Sequence, residues 1–317
     1  MTNNFTRLIG QEQAIALLKG AVEANRIAPG YLFAGADGVG RSLAGRAFIE
    51  LLFCKDVSTE KQVLVRRRLQ QGNHPDVLWV EPTYLHNGVR LSAKEATEQG
   101  LKRKAPPQIR LEQIREITQF LARAPLEAPR QVVVIEQAET MAEAAANGLL
   151  KTLEEPGRAT LILIAPSPES LLPTLVSRCQ RIPFYRLAQK DMEAVLRETG
   201  YGQILGEASV LGIAQGSPGE AIASFEQLQV IPPELLAKLS QFPKSPRIAL
   251  EIAKEIDKTL DPQSQLWLVD YLQHYYWQKH HQTGVTQQLE QARQYLKSYA
   301  QPRLVWEVTL LKLSGER

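Results

Sequence analysis

Two stretches of the chain carry residue types at spacings suited to phosphate chemistry. Gly35-Ala-Asp-Gly-Val-Gly40-Arg41-Ser42 has the G-x-x-x-x-G-K-[ST] spacing, in which backbone N–H groups and the N-terminus of a following helix cradle phosphate. Arginine, however, stands where that pattern has lysine. Lysine sets a compact ammonium between the β- and γ-phosphates, whereas a guanidinium is longer and planar, a poor substitute at a site of fixed depth. Farther on, Glu136-Gln137 follows an apolar run, where a Walker B segment would place an aspartate for Mg²⁺ and an acidic neighbour to polarise water. Gln137 cannot act as a base. Taken alone, the glycine loop reads equally well as a turn without a ligand. Ser177-Arg178-Cys179 reads first as a surface arginine beside a small buried hydrophobe, with Ser177 ending a helix.

The elements around these residues are those a phosphate loop needs. Tyr31-Leu-Phe-Ala34 is a short apolar run leading into the loop, and residues 43–53 after it are compatible with a helix, which is the strand, loop, helix order of a phosphate-binding unit. Ala14, Leu17, Leu18 and Ala21 mark an amphipathic helix over residues 11–24. Residues 76–80, 131–135 and 160–165 read as further buried strands, and 111–122 and 142–153 as helices, an alternation that implies a parallel sheet. Residues 85–108 mix polar, glycine and proline residues as an irregular connection does. After residue 187 strand signals cease. Helical stretches are expected over 189–199 and 204–215, then a break at Gly216-Ser-Pro-Gly219 and a third helix from about Glu220. Longer helices are expected over 248–260, 263–279 and 286–313, the last interrupted near Pro302.

Leu8-Ile-Gly-Gln11, the altered loop, Ala146-Asn-Gly-Leu-Leu-Lys-Thr-Leu-Glu-Glu-Pro156 and Ser177-Arg-Cys179 together resemble the bacterial clamp-loader AAA+ family, over most of residues 5–220. The resemblance implies an α/β fold: an AAA+ P-loop NTPase-type parallel-sheet domain over 1–186, a small helical lid over 187–229 and a C-terminal helical collar over 230–317. It also implies that the nucleotide site formed by Gly35, Gly40, Arg41, Ser42, Glu136 and Gln137 is degenerate, with weak binding of ATP, ADP or an anion at most and no required cofactor. Gly219 stands where hydrolysing members carry a sensor arginine, and Ala165-Pro-Ser167 where they carry a sensor Thr or Asn. Arg178, with Ser177 and Cys179, becomes a trans arginine finger directed at a neighbour's γ-phosphate. The implied partners are clamp-loader delta and gamma/tau subunits and, indirectly, the sliding clamp and primed DNA. An ATP-hydrolysing gamma/tau-type motor and a nucleotide-sensing scaffold outside replication are the competing readings. The first predicts turnover by the isolated chain, and the second stable nucleotide binding without clamp-loader partners.

Composition sets the remaining bounds. At 317 residues, 44% hydrophobic and 22% charged, the chain has material for two or three folded domains. Lys+Arg 37 against Asp+Glu 34 leaves +3, so any nucleic-acid contact must come from local patches such as Arg66-Arg-Arg68 or Lys102-Arg-Lys104, which read more simply as solvated faces. Cys54 and Cys179 form no disulfide framework, which fits the cytoplasm. Relatives often insert a four-cysteine zinc module after the loop helix. Cys54 alone remains here, His74-Pro-Asp76 adds one imidazole, and no zinc is expected. No signal-like or membrane-spanning run is apparent.

Overall fold

The computed structural model describes residues 5–99, 106–298 and 300–315. Lys102-Arg-Lys104 lies outside the described residues. The chain forms two compact units, residues 1–191 and 192–317.

In the first unit α1 (Glu12–Glu23) leads to β1 (Gly30–Ala34), α2 (Arg41–Cys54), α3 (Thr59–Gln71) and β2 (Val77–Val80). A hairpin of β3 (Tyr84–His86) and β4 (Val89–Leu91) follows, then α4 (Ala93–Glu98), α5 (Leu111–Leu121), β5 (Gln131–Ile135) and α6 (Glu143–Glu154). β6 (Ala159–Ala165), a short α7 (Pro173–Val176) and β7 (Gln180–Pro183) complete it. Five strands pair in the order β2-β5-β6-β1-β7, all parallel. β5 and β6 are buried along their whole length, which is why they read as unbroken apolar runs rather than as alternations. α5 and α6 pack together, and Ile114, Ile117, Leu149 and Leu153 close over Val133, Leu161 and Leu163. Gly148 makes that approach possible, since a Cβ there would lie 3.3 Å from Leu111.

The structure departs from the sequence reading in three places here. Residues 85–108 are not wholly irregular, because they hold most of the β3–β4 hairpin and α4. α3 fills the stretch between Cys54 and His74; it has no buried residue, so no apolar stripe announced it. β7 was hidden because it is an edge strand whose Gln180 and Arg181 are exposed, leaving Ile182 as its buried residue.

A buried carboxylate ties the loop before β5 to the start of β2. Asp76 accepts from the backbone N–H groups of Leu126 (2.7 Å), Glu127 (2.8 Å) and Ala128 (2.8 Å). Its own N–H donates to His74 Nδ1 at 3.2 Å. His74 is buried against Phe53, and burial lowers its pKa, so it serves as a neutral turn acceptor.

α8 (Gln189–Glu198) opens the helical part of the chain, followed by α9 (Ala208–Ala214), α10 (Pro218–Val230), α11 (Pro233–Leu239), α12 (Pro246–Thr259), α13 (Pro262–His280), α14 (Thr283–Lys297) and α15 (Pro302–Gly315). Three of these helices start with an oxygen-bearing cap followed by proline. Ser217 accepts from Glu220 N, Ser245 from Ile248 N and Asp261 from Ser264 N, and the proline's missing N–H costs nothing in a first turn. The break expected over 216–219 is therefore shorter: Gln215 and Gly216 turn the chain with positive φ, and Gly219 already lies in the first turn of α10. The stretch 204–215 is likewise a 3-10 turn over Gly202–Gly206 followed by α9. Trp306 anchors the second unit's core, fully buried, its indole N–H donating to Gln265 Oε1 at 2.8 Å.

Candidate functional site

The strand order puts β6 between β1 and β5, so the loop after β1 and the Glu136-Gln137 turn both open at the carboxyl end of the sheet. Gly35 is pressed against the chain after β7: a Cβ on it would lie 2.4 Å from the Phe184 carbonyl oxygen. Gly40 caps α2 with φ of 102°, a left-handed conformation that glycine takes without strain. Gln11, buried, fastens the loop from outside. Its amide nitrogen donates to the carbonyls of Val39 (3.2 Å) and Tyr185 (2.7 Å), and its oxygen accepts from Tyr185 N (3.1 Å).

Arg41 opens α2, and its side chain turns back to pair with Asp37 of the same loop, although it is 8% exposed against 65% for Asp37. Its Nη1 is buried without a partner among the described residues. Ser42 and Glu136, the two side chains that a P-loop site would turn toward Mg²⁺, lie close enough for the hydroxyl to favour the carboxylate's charged form. Burial pushes Glu136 above the usual carboxylate range, opposed by Ser42, Arg41 and Arg46. Glu139 is also raised by burial and lies within electrostatic reach of Asp37, Arg41 and Glu136. Glu81, Glu136 and Glu139 thus share their surroundings with the guanidiniums of Arg41 and Arg46, and Asp37 lies within electrostatic reach of Glu139. Gln137 does not join the group. It is exposed, adopts φ of 48° and begins the turn that returns Glu139 to the cluster.

Gly35, Gly40, Arg41, Ser42 and Glu136 therefore come together, while Ser177, Arg178 and Cys179 lie elsewhere. These three precede β7, whose Gln180 pairs with Tyr31 near the start of β1. The carbonyl of Arg178 faces Gly30, at the opposite end of β1 from the loop, about 16 Å away at roughly 3.3 Å per residue. Arg178 is 36% exposed; its Nε (3.1 Å) and Nη2 (2.6 Å) donate to Glu154 Oε1, and its Nη1 to the Thr174 carbonyl (2.9 Å). Ser177 ends α7 and bonds the Thr174 carbonyl at 3.1 Å. Cys179 is buried beside Leu153, and burial pushes its thiol up from 9.0 to about 12.

The thiol therefore keeps its proton near neutrality, and iodoacetamide at pH 8 is expected to leave Cys179 unmodified in the folded chain and to alkylate it after unfolding, as read by peptide mass spectrometry. The linked sign is that stability falls as pH rises above 9.0, where the unfolded thiol loses a proton that the folded one retains up to about 12.

Asp37, Glu139, Gln11 and Glu154 were not assigned roles by sequence reasoning. Asp37, Gln11 and Glu154 lie within the motifs that carry the family resemblance, and the available signal was polar side chains in otherwise apolar or glycine-rich contexts. Of the Arg66-Arg-Arg68 triplet, Arg66 pairs with Glu50 (2.6 Å) and Arg68 with Glu127, so two of the three charges are met internally. Among the described residues no cluster of three or more His, Cys, Asp or Glu could hold a metal ion, and no helix is long and apolar enough to cross a membrane.

A parallel sheet of this order, with the glycine loop following β1, defines an AAA+ P-loop-type protein. Residues 10–188 match the family model for the DNA polymerase III delta subunit, and residues 190–313 match that for the C-terminal domain of cyanobacterial DNA polymerase III delta prime. The chain belongs to this DNA polymerase III clamp-loader family, in its delta prime branch. It is 33% identical over 191 residues to DNA polymerase III subunit delta prime of Bacillus subtilis, covering 59% of this chain and 51% of the relative. It is 32% identical over 153 residues to the delta prime subunit of Pseudomonas aeruginosa, covering 47% and 40%. The match therefore spans about half the length of these curated relatives, or less. In fold the chain is similar to a DNA polymerase III gamma subunit-related protein from Thermotoga maritima, with a TM-score of 0.57, 16% identity, and coverage of 96% of this chain and 99% of that one.

Proposed function

We propose that the chain acts in the cytoplasm as the delta prime subunit of a DNA polymerase III clamp loader, a non-hydrolysing member that assembles with delta and gamma/tau subunits. In this reading it helps to load the sliding clamp onto primed DNA and supplies Arg178 in trans to a neighbour's ATP site. Residues 187–229 serve as the lid and 230–317 as the collar. The observation that carries the reading is the placement of Arg178, exposed at the sheet edge opposite its own glycine loop, whose cation is already paired with Asp37. An arginine so placed cannot reach a phosphate in its own loop and is available to another chain's. A further support is α15, where Leu304, Val308 and Leu311 stand exposed at spacings of four and three, an apolar stripe suited to a partner helix.

The test is to combine the purified chain with cognate delta and gamma/tau subunits, clamp and primed DNA, and compare ATP hydrolysis for wild type and Arg178→Ala. Loss of most turnover with assembly intact supports the finger; unchanged turnover sinks it. The isolated chain is expected to show no ATP turnover, and Arg41→Lys alone is not expected to create any. Lysine restores the compact cation, yet Glu136 still stands where a Walker B aspartate would, and Gln137 remains no base. Steady phosphate release by the isolated Arg41→Lys chain would count against this account.

A further inference from the structure

We propose that Glu154 is the positioning residue of Arg178, holding the guanidinium so that its terminal edge is presented to a phosphate outside the chain. This rests on the trans-finger reading and names what makes the finger directional. A guanidinium carries five N–H donors. Glu154 Oε1 takes one on Nε and one on Nη2, and the Thr174 carbonyl takes one on Nη1. Among the described residues, one donor on each terminal nitrogen is left. With Glu154 on the Nε side, the remaining Nη2 donor lies on the end-on edge, the edge whose fork with Nη1 matches two oxygens of one phosphate.

Both ends of the pair are built on fixed ground. Leu153 and Cys179, the neighbours of Glu154 and Arg178, are buried and converge on Gly30, where a Cβ would lie 2.7 Å from Leu153 Cδ2 and 2.9 Å from Cys179 Sγ. The two side chains themselves are 51% and 36% exposed, so their ion pair contributes little to folding. Nor do the local electrostatics of α6 explain Glu154. It is the last residue of the helix, at the negative end of the dipole, where a carboxylate is disfavoured. What it does there is hold Arg178. An arginine on a flexible stem samples many rotamers, and one restrained by three hydrogen bonds meets a transferring phosphoryl group with that entropy already lost.

The experiment uses the reconstituted complex with clamp and primed DNA, and measures kcat and KM for ATP with Glu154→Ala, Glu154→Gln, Arg178→Ala and the double variant Glu154→Ala/Arg178→Ala. Glu154→Ala is expected to lower kcat roughly 10- to 100-fold, with KM and assembly near wild type. Glu154→Gln, whose amide oxygen still accepts, should recover most of that loss. The double variant should be no slower than Arg178→Ala, because an orienting group has nothing to orient once the arginine is gone. If Arg178→Ala slows turnover but Glu154→Ala leaves it unchanged or raises it, the positioning role is overturned and the finger stands. Additive losses in the double variant also overturn the role. If Arg178→Ala itself has no effect, both fall.

Discussion

Arg178→Ala is expected to reduce ATP turnover of the assembled clamp loader roughly 10³-fold or more, the lower end of what arginine fingers contribute. At about 1.4 kcal/mol per decade, this corresponds to about 4 kcal/mol of lost transition-state stabilisation. The loss should fall on kcat, because charge accumulates on the transferring phosphoryl group as bonds to it loosen, and a fixed cation interacts with that charge more strongly than with the ground state. Arg178→Lys should remain far below wild type, since an ammonium keeps the charge but lacks the fork. The folded chain itself should hardly notice either change, because Arg178 is more than one-third exposed and its pair with Glu154 belongs to the class of surface ion pairs that are worth about 0–1 kcal/mol. A normal unfolding curve with collapsed turnover in the complex separates a functional loss from a structural one. A parallel loss of stability and activity would reassign Arg178 to the scaffold.

Asp76→Ala carries the largest expected effect on stability, about 3–5 kcal/mol. The carboxylate is 1% exposed and is the acceptor for three consecutive backbone N–H groups, those of Leu126, Glu127 and Ala128. Alanine leaves these donors without their partner, and each unsatisfied buried donor costs about 1–3 kcal/mol, less whatever water can reach it. Asp76→Asn should be only a partial remedy, because its amide nitrogen must face at least one N–H. The drop is measured as a lower urea midpoint of the full chain, and locally as faster hydrogen exchange at the amides of residues 126–128. Unchanged exchange at those amides would show that the loop before β5 is held by something other than this carboxylate.

Much of the fold was legible because it is written in local patterns. The loop spacing from Gly35 to Ser42 and the apolar runs of β5 and β6 each depend on a few adjacent residues, whereas the Ser-Pro start of α10 read as a break. α3 and β7 escaped for the complementary reason. One buries no residue, and the other is a short edge strand carrying polar residues, so neither leaves a hydrophobic period to read. The candidate site divides in the same way. Arg41 and Gln137 announce their departures from the phosphate-site pattern by residue type alone, whereas Glu139 entered the cluster through a turn, and Glu154 met Arg178 across 24 residues.

By itself, then, the sequence determined which side chains are present, where the glycine loop stands between strand and helix, and that a lysine and a Walker B aspartate are missing. The tertiary structure decided what those side chains do. Strand order placed Arg178 and the loop at opposite ends of β1, the loop's fold turned Arg41 onto Asp37, and the fold brought Asp76 to amides 50 to 52 residues away. The physical reason is range. Helix caps, turns and hydrophobic periods are settled within about four residues by steric and hydrogen-bonding preferences. A charged group's partner, by contrast, is selected by which distant backbone and side-chain atoms the packed sheet leaves beside it once water has been excluded.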